Sequence, residues 1–207
     1  MKRPYDFIYF IGDSFTYAIG QADDLLSEIN VNNRFSQLVA DHYKLEHVNH
    51  AVAGTNNQYI ARTLQDDMIE YSLQDKNPLV VVSYTDSARQ EVWDNAKNKA
   101  KSASQDDSWY KDWLVDGFDW EHFNKIAQYH INSSRFLLKY LEFDFVEIFT
   151  TEDGKSSNET LEQTLTKIAG EKGLFTSVTH TGLGHLNLLG NKIVADAVIN
   201  KIDELYG

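Results

Sequence analysis

Short apolar runs alternate along this chain with longer stretches of helical period. Phe7-Ile8-Tyr9-Phe10-Ile11 and Leu79-Val80-Val81-Val82 are continuous apolar runs of strand length, the pattern of strands buried on both faces rather than on one. Strands are predicted at Asp6–Ile11, Glu46–Asn49, Leu79–Tyr84, Phe143–Phe149 and Leu174–Val178. Between them, Phe35, Leu38, Val39, His42 and Tyr43 form one helical face, and Ile60, Leu64, Met68 and Tyr71 form another. Trp120, Phe123, Ile126, Ala127, Ile131, Phe136, Leu137, Tyr140 and Leu141 mark a long third helix. Asn158 caps a fourth that Gly170 ends, and the last helix runs from about Leu188 with Ile193, Val194, Ala197, Val198 and Leu205 on its inner side. Strands alternating with helices predict an α/β protein: a three-layer α/β/α sandwich around a five-stranded, mainly parallel sheet.

The 207 residues show no repeat and no Pro-rich linker, so one domain over 1–207 is the economical reading. The rhythm breaks at about Asp94 to Gly117, where a polar, charged stretch stands in place of a short connection. All four tryptophans, Trp93, Trp109, Trp113 and Trp120, lie in or beside it, which makes it a candidate glycan-stacking lid or, equally, a packed insertion or subunit interface.

Composition narrows the classes of partner. A net charge of −12 disfavours a phosphate-binding surface, so no nucleic-acid partner is expected. The absence of cysteine removes disulfides, thiolate catalysis and sulfur-ligated zinc. His180 and His185 make an isolated pair without an acid cluster, so no metal and no cofactor is expected. The basic start Met1-Lys2-Arg3 runs through Asp6 into a Gly-Asp-Ser turn without a small-residue cleavage site, and reads as the first strand rather than a signal peptide. No apolar run approaches the ~20 residues of a membrane span. Cytosol and virion fit equally, and oligomeric state is left open.

In an open parallel sheet, ligands bind beyond the carboxyl ends of the strands, so the residues following each strand form one group. That group contains Gly12-Asp13-Ser14 after the first strand, Asn49 to Asn57 after the second, Tyr84-Thr85-Asp86 after the third, and Thr179 to His185 after the fifth. Together they supply the parts of acyl transfer: Ser14 as nucleophile, His185 as general base and then acid, and the backbone N–H groups of Ser14 and Gly54 as an oxyanion hole. Thr85 and Asn56 are the candidate side-chain donors to that hole. Asp13 is read as a brace for the loop that carries Ser14.

These residues resemble the GDSL, or SGNH, hydrolase family, whose fold is of this flavodoxin-like kind. The family's first block is matched by Gly12, Asp13 and Ser14, with Gly20 downstream. The second is matched by Asn49 and Gly54, and the fifth by His185, Asn187 and Gly190. The third block is usually Gly-x-Asn-Asp, and here Ser83-Tyr84-Thr85-Asp86 puts Thr85 where the family's oxyanion asparagine belongs. The stretch from Val81 to Arg89 looks like a divergent branch with phage-encoded members, in which an Arg follows the third strand. The family's triad acid falls three residues before the histidine, at Gly182. The resemblance therefore implies a Ser-His pair, the imidazole oriented by a backbone carbonyl or by an acid from elsewhere, such as Asp86.

The expected function is hydrolysis of an ester, with acetyl groups on a carbohydrate or a small ester as substrate. The rival expectation is a catalytically impaired binding or virion-associated module that kept the fold.

Overall fold

The computed structural model of the protein describes residues 5–17, 28–85, 87, 89–94, 99–103, 120–149 and 186–207. The predicted strand at 174–178, the predicted helix from Asn158 to Gly170, and the residues Gly20, Asp86, Trp109, Trp113, His180, Gly182 and His185 lie outside them.

The buried apolar runs become β1 (Phe7–Ile11) and β3 (Pro78–Tyr84), flanked by β2 (His47–Asn49) and β6 (Phe145–Phe149). The sheet order is β2-β1-β3-β6. Every neighbouring pair is parallel, with Tyr9 opposite both Val48 and Val80, and Val82 opposite Glu147. Four of the five predicted strands thus lie in the described sheet.

The helices are α1 (Ser14–Tyr17), α2 (Glu28–Asn33), α3 (Phe35–Tyr43), α4 (Asn57–Leu73), α5 (Trp120–Tyr140) and α6 (Leu188–Tyr206). Because strand side chains alternate between faces, Ile8 and Phe10 pack with Phe35 and Val39 of α3 and with Val194 and Val198 of α6. Tyr9 and Ile11 pack on the other face with Ile60, Leu64 and Met68 of α4 and with Ile131 and Leu138 of α5. The three layers follow directly from this alternation.

Two sequence readings are corrected here. Along α5 the buried positions are Phe123, Ala127, Ile131, Ser134 and Leu138. Phe136 and Tyr140 stand two residues either side of Leu138, about 200° around the helix from it. They are 72% and 74% exposed and stack on each other with centroids 6.3 Å apart. On α6, Ile202 takes the inner position and Leu205 faces out. The second correction concerns the stretch read as irregular from Asp94. Gln90–Asp94 (β4) and Lys99–Ala103 (β5) pair as an antiparallel ribbon, Trp93 opposite Ala100. The run Lys-Ala-Lys-Ser-Ala shows no alternation of apolar and polar residues, so its extended form comes from pairing with β4 and not from its own pattern. Arg62 of α4 holds this ribbon by bidentate hydrogen bonds of 2.6 and 2.9 Å to Glu91.

Among the described residues no helix is long and apolar enough to cross a membrane. Buried Asn191 pins the start of α6. Its Oδ1 accepts the first N–H of α3, from Phe35, at 2.9 Å, while its Nδ2 donates to the carbonyls of Leu186 and Asn187. The chain that follows residue 185 is thereby tied to the sheet's α3 face.

Replacing Asn191 by leucine keeps the volume but strands buried groups, each costing about 1–3 kcal/mol. Urea unfolding of Asn191→Leu is expected to show a loss of about 2–4 kcal/mol, against about 1 kcal/mol for Asn187→Ala, which removes the α6 cap on Gly190.

A second expectation concerns pH. Burial, then the Arg34 guanidinium bonded to its Nε2 at 2.9 Å, holds the His47 imidazole below its ordinary value. Its contribution is complete above the unfolded value of about 6.5 and is lost as pH falls through the lower folded value. The urea midpoint should therefore drop between pH 7.5 and 5.5, and His47→Gln should shrink that drop.

Candidate active site

The turn after β1 is built by close approach. A Cβ on Gly12 would lie 2.7 Å from Ser83 Cβ and 2.5 Å from Thr16 Oγ1, so only glycine lets this turn rest against β3. Asp13 then starts α1. Its carbonyl accepts from the N–H groups of Thr16 and Tyr17 at 3.1 and 2.9 Å, and its Oδ1 accepts from the Phe15 N–H at 3.1 Å. Ser14 is the first residue of α1, where a backbone N–H has no partner inside the helix. Neither that N–H nor the Ser14 hydroxyl makes a hydrogen bond to the described residues, although Ser14 is buried.

The loop after β2 is fastened to this turn. The Val52 N–H donates to the Gly12 carbonyl at 3.0 Å. Asn49 Nδ2 donates to the Thr16 carbonyl and to Ser36 Oγ, and Asn49 Oδ1 accepts from the Ala51 N–H. Val52 to Thr55 is a turn closed by the Thr55 N–H on the Val52 carbonyl, with Gly54 at φ +72° in its third place. A Cβ on Gly54 would meet nothing within 4 Å among the described residues, so the glycine is there for its backbone angle.

Asn56 caps α4 by accepting the Tyr59 N–H at 2.8 Å. Asn57, which the sequence reading passed over, clamps the end of β3. Its Oδ1 accepts the Thr85 N–H at 2.9 Å and its Nδ2 donates to the Thr85 carbonyl at 2.7 Å. A side-chain amide here plays the part of a neighbouring strand. The available signal was a surplus: a helix start needs one capping asparagine, and Asn56-Asn57 supplies two.

Thr85 departs from expectation. Its hydroxyl carries one proton, and that proton goes to Asp13 Oδ2 at 2.8 Å, not towards an oxyanion. Asp13, 1% exposed, also faces Arg89, whose Nη1 lies 3.6 Å from Oδ2. The structure thus joins Asp13, which precedes Ser14, to Thr85 at the end of β3, and joins Val52, two residues before Gly54, to Gly12 after β1. Among the described residues no group of three or more His, Asp or Glu is arranged to hold a metal.

No protein-family model matches the chain, and no curated protein matches it in sequence. Solved structures do match in shape. An acetyl xylan esterase, Est2A, from Butyrivibrio proteoclasticus superposes with a TM-score of 0.59 at 11% identity, over 98% of this chain and 64% of its own. The esterase EstA from a Pseudoalteromonas species gives 0.54 at 12% identity, over 97% of this chain and 98% of its own. A G-D-S-L-family protein from Desulfitobacterium hafniense gives 0.51 at 12%, over 94% and 98%. The chain therefore spans under two thirds of the acetyl xylan esterase and nearly all of the other two. At such identities the likeness establishes a shared fold.

The two glycines should fail differently. Gly12→Ala meets backbone and Cβ of β3 and is expected to lose about 3 kcal/mol or more in urea unfolding. Gly54→Ala, strained but unobstructed, should lose about 1–2 kcal/mol and keep a native circular dichroism spectrum.

Proposed function

We propose that this chain, which has the fold of the SGNH hydrolases, is a serine ester hydrolase of that family, working as one domain over 1–207 without a cofactor. The observation that carries the reading is the state of Ser14. It stands at the first position of a helix capped by its neighbour, with its hydroxyl and its N–H both uncommitted among the described residues.

In the proposed reaction, Ser14 Oγ bonds to the acyl carbon while its proton passes to His185. The carbonyl oxygen takes up the electron pair and is held by the N–H groups of Ser14 and Gly54. Collapse of the tetrahedral intermediate breaks the ester C–O bond, and the alcohol leaves with the proton from His185. Water, deprotonated by the same imidazole, then releases the acid and restores the serine. His185 precedes Leu186, a buried core residue fixed by Asn191 at the head of α6, and that supports its return to this end of the sheet. Gly182 lacks a carboxylate, so the imidazole is oriented by a backbone carbonyl or an acid from elsewhere.

The substrate proposed is an O-acetyl group on a carbohydrate, or a small acetyl ester. The acetyl xylan esterase among the structural neighbours and the tryptophans around 93–120 support this choice. Gly182 favours one rival, a binding module whose serine is no longer activated.

A fluorophosphonate probe decides between them. The wild type is expected to label and to release acetate from acetylated xylan. Ser14→Ala and His185→Ala should lose labelling and lower kcat by about 10⁴ or more. A folded wild type that does not label makes the binding module the correct reading.

A further inference from the structure

Arg89 is the group in this site that the reaction above does not use. Its Nη1 is buried and has no hydrogen-bond partner among the described residues, an arrangement that costs about 1–3 kcal/mol unless something offsets it. The 3.6 Å to Asp13 Oδ2 is an ion contact, too long for a hydrogen bond. Arg89 lines a narrow cleft between α4 and α5 with Asn57, Gln90, Ile126 and His130. Burial holds the His130 imidazole below its ordinary value, so at neutral pH Arg89 is the cation among these residues.

Two further facts point the same way. The position after β3 that would give a side-chain donor to the oxyanion is Thr85, and its proton is committed to Asp13. Asp13 is also the residue that caps α1 and precedes Ser14 in the chain, so the guanidinium lies 3.6 Å from the carboxylate next in sequence to the nucleophile. A planar guanidinium carries its N–H groups in a rigid fork, which suits a preorganised donor.

We propose that Arg89 donates the third hydrogen bond to the substrate's carbonyl oxygen as it becomes an oxyanion, in the place that Thr85 cannot fill. The inference rests on the esterase reading. The bond strengthens on attack by Ser14, weakens when the tetrahedral intermediate collapses to the acyl-enzyme and strengthens again when water attacks, with no proton transferred from Arg89. Nη1 itself is closed off beside Asp13 while the side chain as a whole is 30% exposed, so the bond comes from the guanidinium's other N–H groups. It also makes Asp13 a residue with two duties, the turn and the guanidinium.

The experiment compares wild type, Arg89→Ala, Arg89→Lys and Arg62→Ala on p-nitrophenyl acetate, alongside fluorophosphonate labelling. Arg89→Ala is expected to lower kcat by about 10²–10³ with KM nearly unchanged, the size of one lost oxyanion donor, and added guanidinium ion should restore part of the loss. Arg89→Lys keeps the charge beside Asp13 and therefore the turn, and should lose at least about tenfold because a single ammonium cannot take the fork's direction. Arg62→Ala, which removes a cation that pairs with Glu91, should retain wild-type kcat. If Arg89→Ala does not fold, the lysine variant decides. A folded Arg89 variant with wild-type kcat, or with a change in KM alone, overturns this inference while Ser14 labelling leaves the esterase reading standing. A wild type that neither labels nor turns over overturns both.

Discussion

Asp13 is a carboxylate that the fold has almost wholly removed from water, and the geometry of this end of the sheet follows from what it takes to keep it there. A buried carboxylate needs its lone pairs filled and its charge answered. The Phe15 N–H, the Thr85 hydroxyl and the Arg89 guanidinium do so from three different parts of the chain. In consequence the turn after β1, the end of β3 and the start of the β4–β5 ribbon are located relative to one another through one side chain. The apolar layers bring these segments near, and the hydrogen bonds of Asp13 set their final positions.

The division of labour is visible across the whole domain. Below the strand ends the protein is held by volume: Ile8, Phe10, Val80 and Val82 need only be apolar and of roughly the right size. Above them it is held by side-chain bonds to backbone groups, from Asn49, Asn57 and Asn191. Volume tolerates exchange and directed bonds do not. Shared architecture at 11–12% identity with EstA and Est2A is what the first kind of constraint permits.

The same division explains what could be read from the sequence. The helices α3, α4 and α6 and the strands β1 and β3 were legible because burial leaves a period in the chain. Gly12, Asp13, Ser14 and Gly54 were legible because a tight turn and a left-handed angle admit few residues. The β4–β5 ribbon left no such trace, since Lys-Ala-Lys-Ser-Ala is extended by its partner. Phe136 and Tyr140 misled in the opposite direction, being aromatic at helical spacing yet turned to solvent. The roles of Asn57 and Thr85 were hidden for a different reason: each depends on a partner 28 or 72 residues away, and only the folded chain says which proton goes where.

The Asn57 clamp has a consequence of its own. It grips both backbone groups of residue 85 and leaves that residue's side chain out of the bargain. The backbone at 85 is thus gripped from α4 whatever its side chain does, and the Thr85 hydroxyl adds a second tie, to Asp13, that only a hydrogen-bonding side chain can keep. A change at this position is therefore felt through Asp13, in the turn that carries Ser14, before it is felt in its own loop.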